Sequence, residues 1–252
     1  GDDFLDVLGH QEVLRPAFAL LGRMHAKGLV QDDLHFGNFL QAAGQWFVID
    51  GDAVREVSPG QPLDEKTAVT NLAILLAQLP IAWNAHLTPL LEVYHAAGGR
   101  VFSCHTAQDE RLVREVERVR AWRLKDYLGK AGRECTLFKA LRGVLRFSVL
   151  RRTRAAVLEP LLETLDHAIA RGHLLKDGRT CTVARIDAAG VPLIVKRYNL
   201  KSVFHAIGRC WRPSRAWHSW CEGHRLGFYG IATPRPLGVL EERFGPLRRR
   251  AS

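Results

Sequence analysis

The chain has 252 residues, 47% hydrophobic and 25% charged, which excludes a wholly disordered chain and allows a buried core in one large domain or two small ones. Its five cysteines include no C-x-x-C pair, which argues against a disulfide framework or a zinc site and fits reduced thiols. The formal charge of +10 points to a polyanionic partner: nucleic acid, a membrane surface or a phosphorylated substrate.

Apolar residues at Val13, Leu14, Ala17, Leu20, Leu21 and Met24 recur at helical spacing and predict a helix over 10–27, stopped by Gly28. "LVQDDLHFGNFL" reads as a short strand, a polar loop and a second strand. Gly44 then turns the chain into a third apolar strand, "QWFVID". Helices are predicted at about 64–79, 85–97 and 108–128, the last with Glu and Arg three or four apart, as on an exposed helix. The apolar run "LAILLAQLPIAW" (72–83) contains Gln78 and Pro80, is too short to span a membrane, and reads as a buried helix. Residues 129–172 are basic and read as helical, "LRGVLRFSVLRRTR" included. From 173, "HLLKDG", "TCTVARID" and "VPLIVKRYN" make a three-stranded meander with tight turns. A helix over "SRAWHSWCEGHRLGFYG" and a strand in "TPRPLGVLEE" follow. The expected class is α+β: a helical lobe (1–140), a basic helical linker (141–172) and a β-rich lobe (173–252).

The chemistry concentrates between Gly28 and Asp52. Asp33 stands at a loop start, where a carboxylate can accept a hydroxyl proton. Asn38 follows five residues later and Asp50 twelve after that, two hard oxygen donors that a hairpin can bring together around magnesium. Phosphoryl transfer needs a positioned nucleophile and metal ions that neutralise phosphate charge, and little else from the protein. Asp32 reads as structural, as do His25 and His35.

"QDDLHFGN…IDGD" resembles the catalytic and metal-binding loops of protein-kinase-like folds, H-R-D-x-x-x-x-N followed by D-F-G. Gln31 and Asp32 replace the His-Arg pair, and Gly51-Asp52 replace Phe-Gly. With "DGRTCTVARI", "VKRYN", "RPSRAWHSW" and "GIATPRP", the chain resembles the bacterial lipopolysaccharide core heptose and Kdo kinase family over most of its length. The resemblance implies ATP-dependent phosphorylation of a sugar hydroxyl on the lipopolysaccharide inner core, with ATP and Mg2+ as cofactors. It also implies a cytoplasmic location at the inner face of the inner membrane. Asp33 would then be the base, with Asn38 and Asp50 on magnesium. Lys196 would hold the ATP phosphates, paired with Glu222, and the turn containing Gly178 would cover them. The arginines of 142–154 and 248–250 read as a solvated face or as attraction to an anionic membrane. No nucleic-acid motif accompanies the charge, so nucleic acid is not expected as a partner. Other readings are a kinase for another small molecule or protein, and an inactive pseudokinase-like binding module.

The order is inverted for a single kinase, in which the small lobe comes first. A circular permutation would explain it, as would the large lobe of one module joined to the small lobe of the next. The second is expected, because the chain starts on Gly and stops inside the expected hinge region. Asp33 and Lys196 would then belong to different active sites.

Overall fold

The computed structural model describes residues 7–100, 110–199, 213–244 and 247–251, which divide into two compact units, 1–123 and 124–252. Both mix helix and strand, as the composition and patterning predict.

In the first unit, α1 (Val7–Ala26) ends where Gly28 adopts a φ of +76°, and a side chain there would collide with the Ser58 carbonyl. Strand β1 (Leu29–Gln31) pairs antiparallel with β4 (Val54–Glu56), Gln31 opposite Val54. Between them lies the hairpin β2 (Phe39–Ala42) and β3 (Gln45–Val48). Its two turn residues, Ala43 and Gly44, have φ of 49° and 75°, the left-handed pair that suits a two-residue hairpin. Helix α2 (Glu65–Leu76) starts at Asp64, whose carboxylate accepts from the Thr67 amide and hydroxyl. Helices α3 (Thr88–Ala96) and the start of α4 (Glu110–Lys130) complete the unit. The core gathers Phe18 and Leu21 from α1, Leu72, Leu75 and Leu76 from α2, Trp83, and Leu90, Leu91 and Tyr94 from α3. Leu14, Ala17 and Leu21 of the predicted α1 stripe are buried in this core, while Val13 is exposed.

The second unit is built on a seven-stranded antiparallel sheet. Its strands are β5 (Phe138–Arg142), β6 (Arg146–Arg151), β7 (His173–Asp177), β8 (Cys181–Ala188), β9 (Val191–Tyr198), β10 (Gly238–Phe244) and β11 (Leu247–Ala251), in the spatial order β5-β6-β10-β11-β9-β8-β7. Helix α5 (Ala155–Arg171) packs on one face with Ala184, Ile186 and Leu193. Helix α6 (Arg215–Phe228), started by the Ser214 hydroxyl on the Trp217 amide, packs on the other with Phe147, Val149 and Val239.

One expectation is corrected here. Residues 138–151, read as helix, form the β5–β6 hairpin, closed by the Gly143 amide on the Arg146 carbonyl. Four consecutive residues of β6, Phe147–Leu150, are buried because both sheet faces are covered. A strand covered on both sides loses its polar–apolar alternation, so periodicity cannot separate it from a buried helix. Within the stretch read as a basic helical linker, only the part from 152 onward is helical, as a short 3-10 turn (Arg152–Arg154) leading into α5. No helix among the described residues is long and apolar enough to cross a membrane.

Candidate functional site

Strand β1 and the loop that follows it are held by side chains that reach them from α2 and the turn after it. Asn71 on α2 donates Nδ2 to the Gln31 carbonyl at 2.8 Å, and its Oδ1 faces the Gln31 amide at 3.5 Å. That Oδ1 also meets His25 Nε2 at 3.0 Å, and His25 Nδ1 meets the Tyr94 hydroxyl at 2.6 Å. An amide oxygen only accepts, so His25 carries its proton on Nε2 and Tyr94 donates to Nδ1. Burial drives the His25 pKa down to about 4, against the opposing Asn71 bond, so the ring is neutral. Gln78, just past α2, donates to the Leu34 carbonyl at 2.9 Å and accepts from the Phe36 amide at 3.3 Å. Two side chains of α2 and its continuation thus dictate the path of residues 31–36.

Within this frame, Asp33 is exposed and Asn38 is 2% exposed. Asn38 donates Nδ2 to the Asp33 carbonyl at 2.9 Å. With the nitrogen committed, Oδ1 is the atom left to meet a cation. The Asn38 carbonyl accepts from the Ile49 amide at 2.9 Å, which sets the end of the hairpin beside Asp50. Asp50 itself is exposed and sits at φ 64°, ψ 53°, a left-handed conformation that costs energy outside glycine. The Asp32 amide donates to the Ala53 carbonyl at 2.9 Å, tying the two loops together. The Asp32 carboxylate makes a bidentate pair with Arg55 at 2.7 and 2.9 Å, which holds its pKa below the usual range. Asp32 is therefore occupied structurally, as expected, and so is His25.

Among the described residues, no group of three or more His, Cys, Asp and Glu side chains is placed to hold a metal. The two hard donors Asn38 and Asp50 do not make an all-protein cage. Oxygens of this kind are what magnesium takes from a protein, one or two at a time, the rest of its shell being phosphate and water.

In the second unit, Lys196 lies on β9 opposite Val183, exposed, with Nζ 5.1 Å from the Tyr198 ring centroid. Arg215, the first residue of α6, stacks on the same ring at 4.9 Å. Two cations thus contact one aromatic ring near a helix N-terminus. The expected pairing of Lys196 with Glu222 is not what the structure holds: the Glu222 carboxylate is engaged by Arg225 at 3.0 Å. An arginine three residues along the same helix reaches that carboxylate more readily than a lysine on another element. The turn after β7 contains Gly178, whose amide donates to the Cys181 carbonyl at 3.1 Å. Asn199 pins this turn, donating to the Gly178 carbonyl at 2.9 Å and to the Thr182 hydroxyl at 3.2 Å. The side chains of 248–250 lie outside the described residues.

Sequence reasoning missed Gln31, Asn71 and Gln78 in the first unit and Arg215 and Asn199 in the second as parts of these sites. The signal for Asn71 and Gln78 was visible: each is a lone amide in an otherwise apolar helical stretch, and a buried amide needs partners. No family profile, no curated protein and no solved structure matches the chain.

Proposed function

We propose that the protein is a kinase-type phosphotransferase whose acceptor is a sugar hydroxyl of the lipopolysaccharide inner core, with Mg-ATP as donor. The observation that carries the reading is the Asn38–Asp33 hydrogen bond, which commits the Asn38 nitrogen to bracing the base-bearing loop and leaves its oxygen for a cation that Asp50 would share. Asp33 would accept the acceptor's proton, and Asn38 and Asp50 would hold the metal. The bound cation would neutralise charge on the transferring phosphate. Catalysis would come from alignment and preorganised charge.

The second unit supports the same reading through its topology. A three-strand meander carries Lys196 on its third strand, a helix follows, and two further strands return beside the meander. A lysine on the third strand and a glutamate on the following helix are the phosphate-clamping parts of a kinase small lobe. Lys196 and Arg215 would meet the phosphates of a nucleotide at the second unit's own half-site, separate from that of Asp33, so little turnover is expected from this chain alone. The acceptor class rests on the resemblance in sequence, and the basic excess suits an acceptor presented at an anionic membrane.

The engagement of Glu222 by Arg225 favours a second reading, a nucleotide-independent binding module. Core oligosaccharide extracted from cells with and without the gene, compared by mass spectrometry, separates the two. The kinase reading expects one phosphate fewer per core in the deletion, restored by the wild-type gene and not by Asp33→Asn. An identical phosphate content in all three samples would leave only the binding module, or another acceptor.

A further inference from the structure

The strand before the base-bearing loop contains a buried side chain that this chemistry has not yet used. Gln31 is fully buried, and its Nε2 donates to the Ile49 carbonyl at 3.1 Å. Its Oε1 is buried and has no hydrogen-bond partner. Turning the amide over would set an oxygen against the Ile49 oxygen, so the carbonyl of Ile49 fixes the orientation and leaves Oε1 without a donor. A buried acceptor without a partner costs stability, and such groups call for a reason other than packing.

The reason lies in which peptide Gln31 grips. The Ile49 carbonyl belongs to the peptide that leads into Asp50. The amide on the other side of Ile49 is held by the Asn38 carbonyl. Ile49 is thus clamped from both sides, and the left-handed Asp50 starts from a fixed plane. Gln31 is itself anchored through its backbone by Asn71, which is backed by His25 and Tyr94, all of them 5% exposed or less. The chain of contacts runs from a core tyrosine through buried side chains to the backbone of the metal-side loop.

We infer that Gln31 is the positioning residue that fixes the Ile49–Asp50 peptide, holding the Asp50 carboxylate where it can share a divalent cation with Asn38. The part of this that concerns the cation rests on the proposed function; the part that concerns the loop does not. Gln31→Leu keeps the shape, removes the donor and removes the orphaned acceptor as well. Gln31→His restores an N–H of similar reach.

The test uses the full chain. Amide hydrogen exchange across 45–56 is measured without metal for the wild type and both variants, with α2 as the internal reference. Exchange at 49–53 is expected to quicken at least about tenfold in Gln31→Leu, to recover in Gln31→His, and to stay unchanged in α2; each 1.4 kcal/mol of lost local protection is a factor of ten. Unchanged exchange at 49–53, or equal acceleration in α2, would overturn the positioning role. Mn2+ uptake, read from loss of the free-ion electron paramagnetic signal, then reports on the cation. Weaker uptake in Gln31→Leu than in wild type supports the full inference. No uptake by the wild type sinks the metal reading of Asn38 and Asp50, while exchange still decides the role of Gln31.

Discussion

Among the described residues each unit buries one histidine, and the two are satisfied differently. His25 has both ring nitrogens bonded, to Tyr94 and to Asn71. His224, on α6, accepts at Nδ1 from the Tyr127 hydroxyl at 3.0 Å and from Arg151 at 3.2 Å, so its proton sits on Nε2, which is buried without a partner. That ring packs T-shaped against Trp220, 4.2 Å between centroids at 87°, and against Phe138 and Tyr127. The closed network of the first unit ends on a loop with exposed carboxylates. The open one of the second sits inside a helix–sheet interface. The His25 network is satisfied as far as the Gln31 backbone, and the first unit places its candidate chemistry just beyond that point.

Acid gives the largest expected effect on this comparison. Burial lowers both histidines from 6.5 to about 4; for His224 the nearby Arg151 and Arg235 charges add to it. Folded pKa values below the unfolded ones mean that the unfolded chain takes up protons first, so stability falls as pH falls from about 6.5 to about 4. The loss is on the order of 3 kcal/mol per histidine at the bottom of that window. Denaturant titrations at successive pH values should show His25→Gln and His224→Gln each flattening the slope. A slope unchanged in both variants would mean neither ring is held neutral.

A smaller effect sharpens the role of the first unit's loop. Asp50→Gly removes the cost of a left-handed side-chain residue and should stabilise the fold by about 1 kcal/mol while deleting a metal donor. Greater stability with undiminished Mn2+ uptake would remove Asp50 from the site. The smallest effect falls in the second unit. Arg225→Ala breaks a partly exposed pair on one helix and should change stability by no more than about 0.5 kcal/mol. It also frees the Glu222 carboxylate, and in the kinase reading nucleotide affinity, measured by calorimetry with Mg-ATP, rises. Affinity that stays flat in Arg225→Ala and falls in Lys196→Ala would assign the phosphates to Lys196 and Arg215 without Glu222.

What could be read from the residues was local. Gly28 and Gly44 marked real stops and turns, the meander over 173–198 stood out through alternation and turn residues, and the Ser214 start of α6 carried its own cap. That Asp33, Asn38 and Asp50 fall on the loops at one end of a short hairpin was legible, because Gly44 marks its turn. The β5–β6 hairpin was not, because two-sided burial erased its alternation. The partners of Gln31 lie 40 residues away at Asn71, and His25 meets Tyr94 across 69 residues. Neither distance leaves a trace in periodicity. The expected Lys196–Glu222 pair is absent for the opposite reason: Arg225, three residues along the same helix, is the nearer cation.

The placement of β10 and β11 has a consequence for biogenesis. They sit between the β5–β6 hairpin and the β7–β9 meander, although they are translated after both. While the ribosome has delivered only residues up to 198, β6 and β9 each present a naked edge that another nascent copy could capture. The sheet becomes a single sheet only when residues 238–251 emerge and zip the gap, so the late strands act as a latch on the earlier ones.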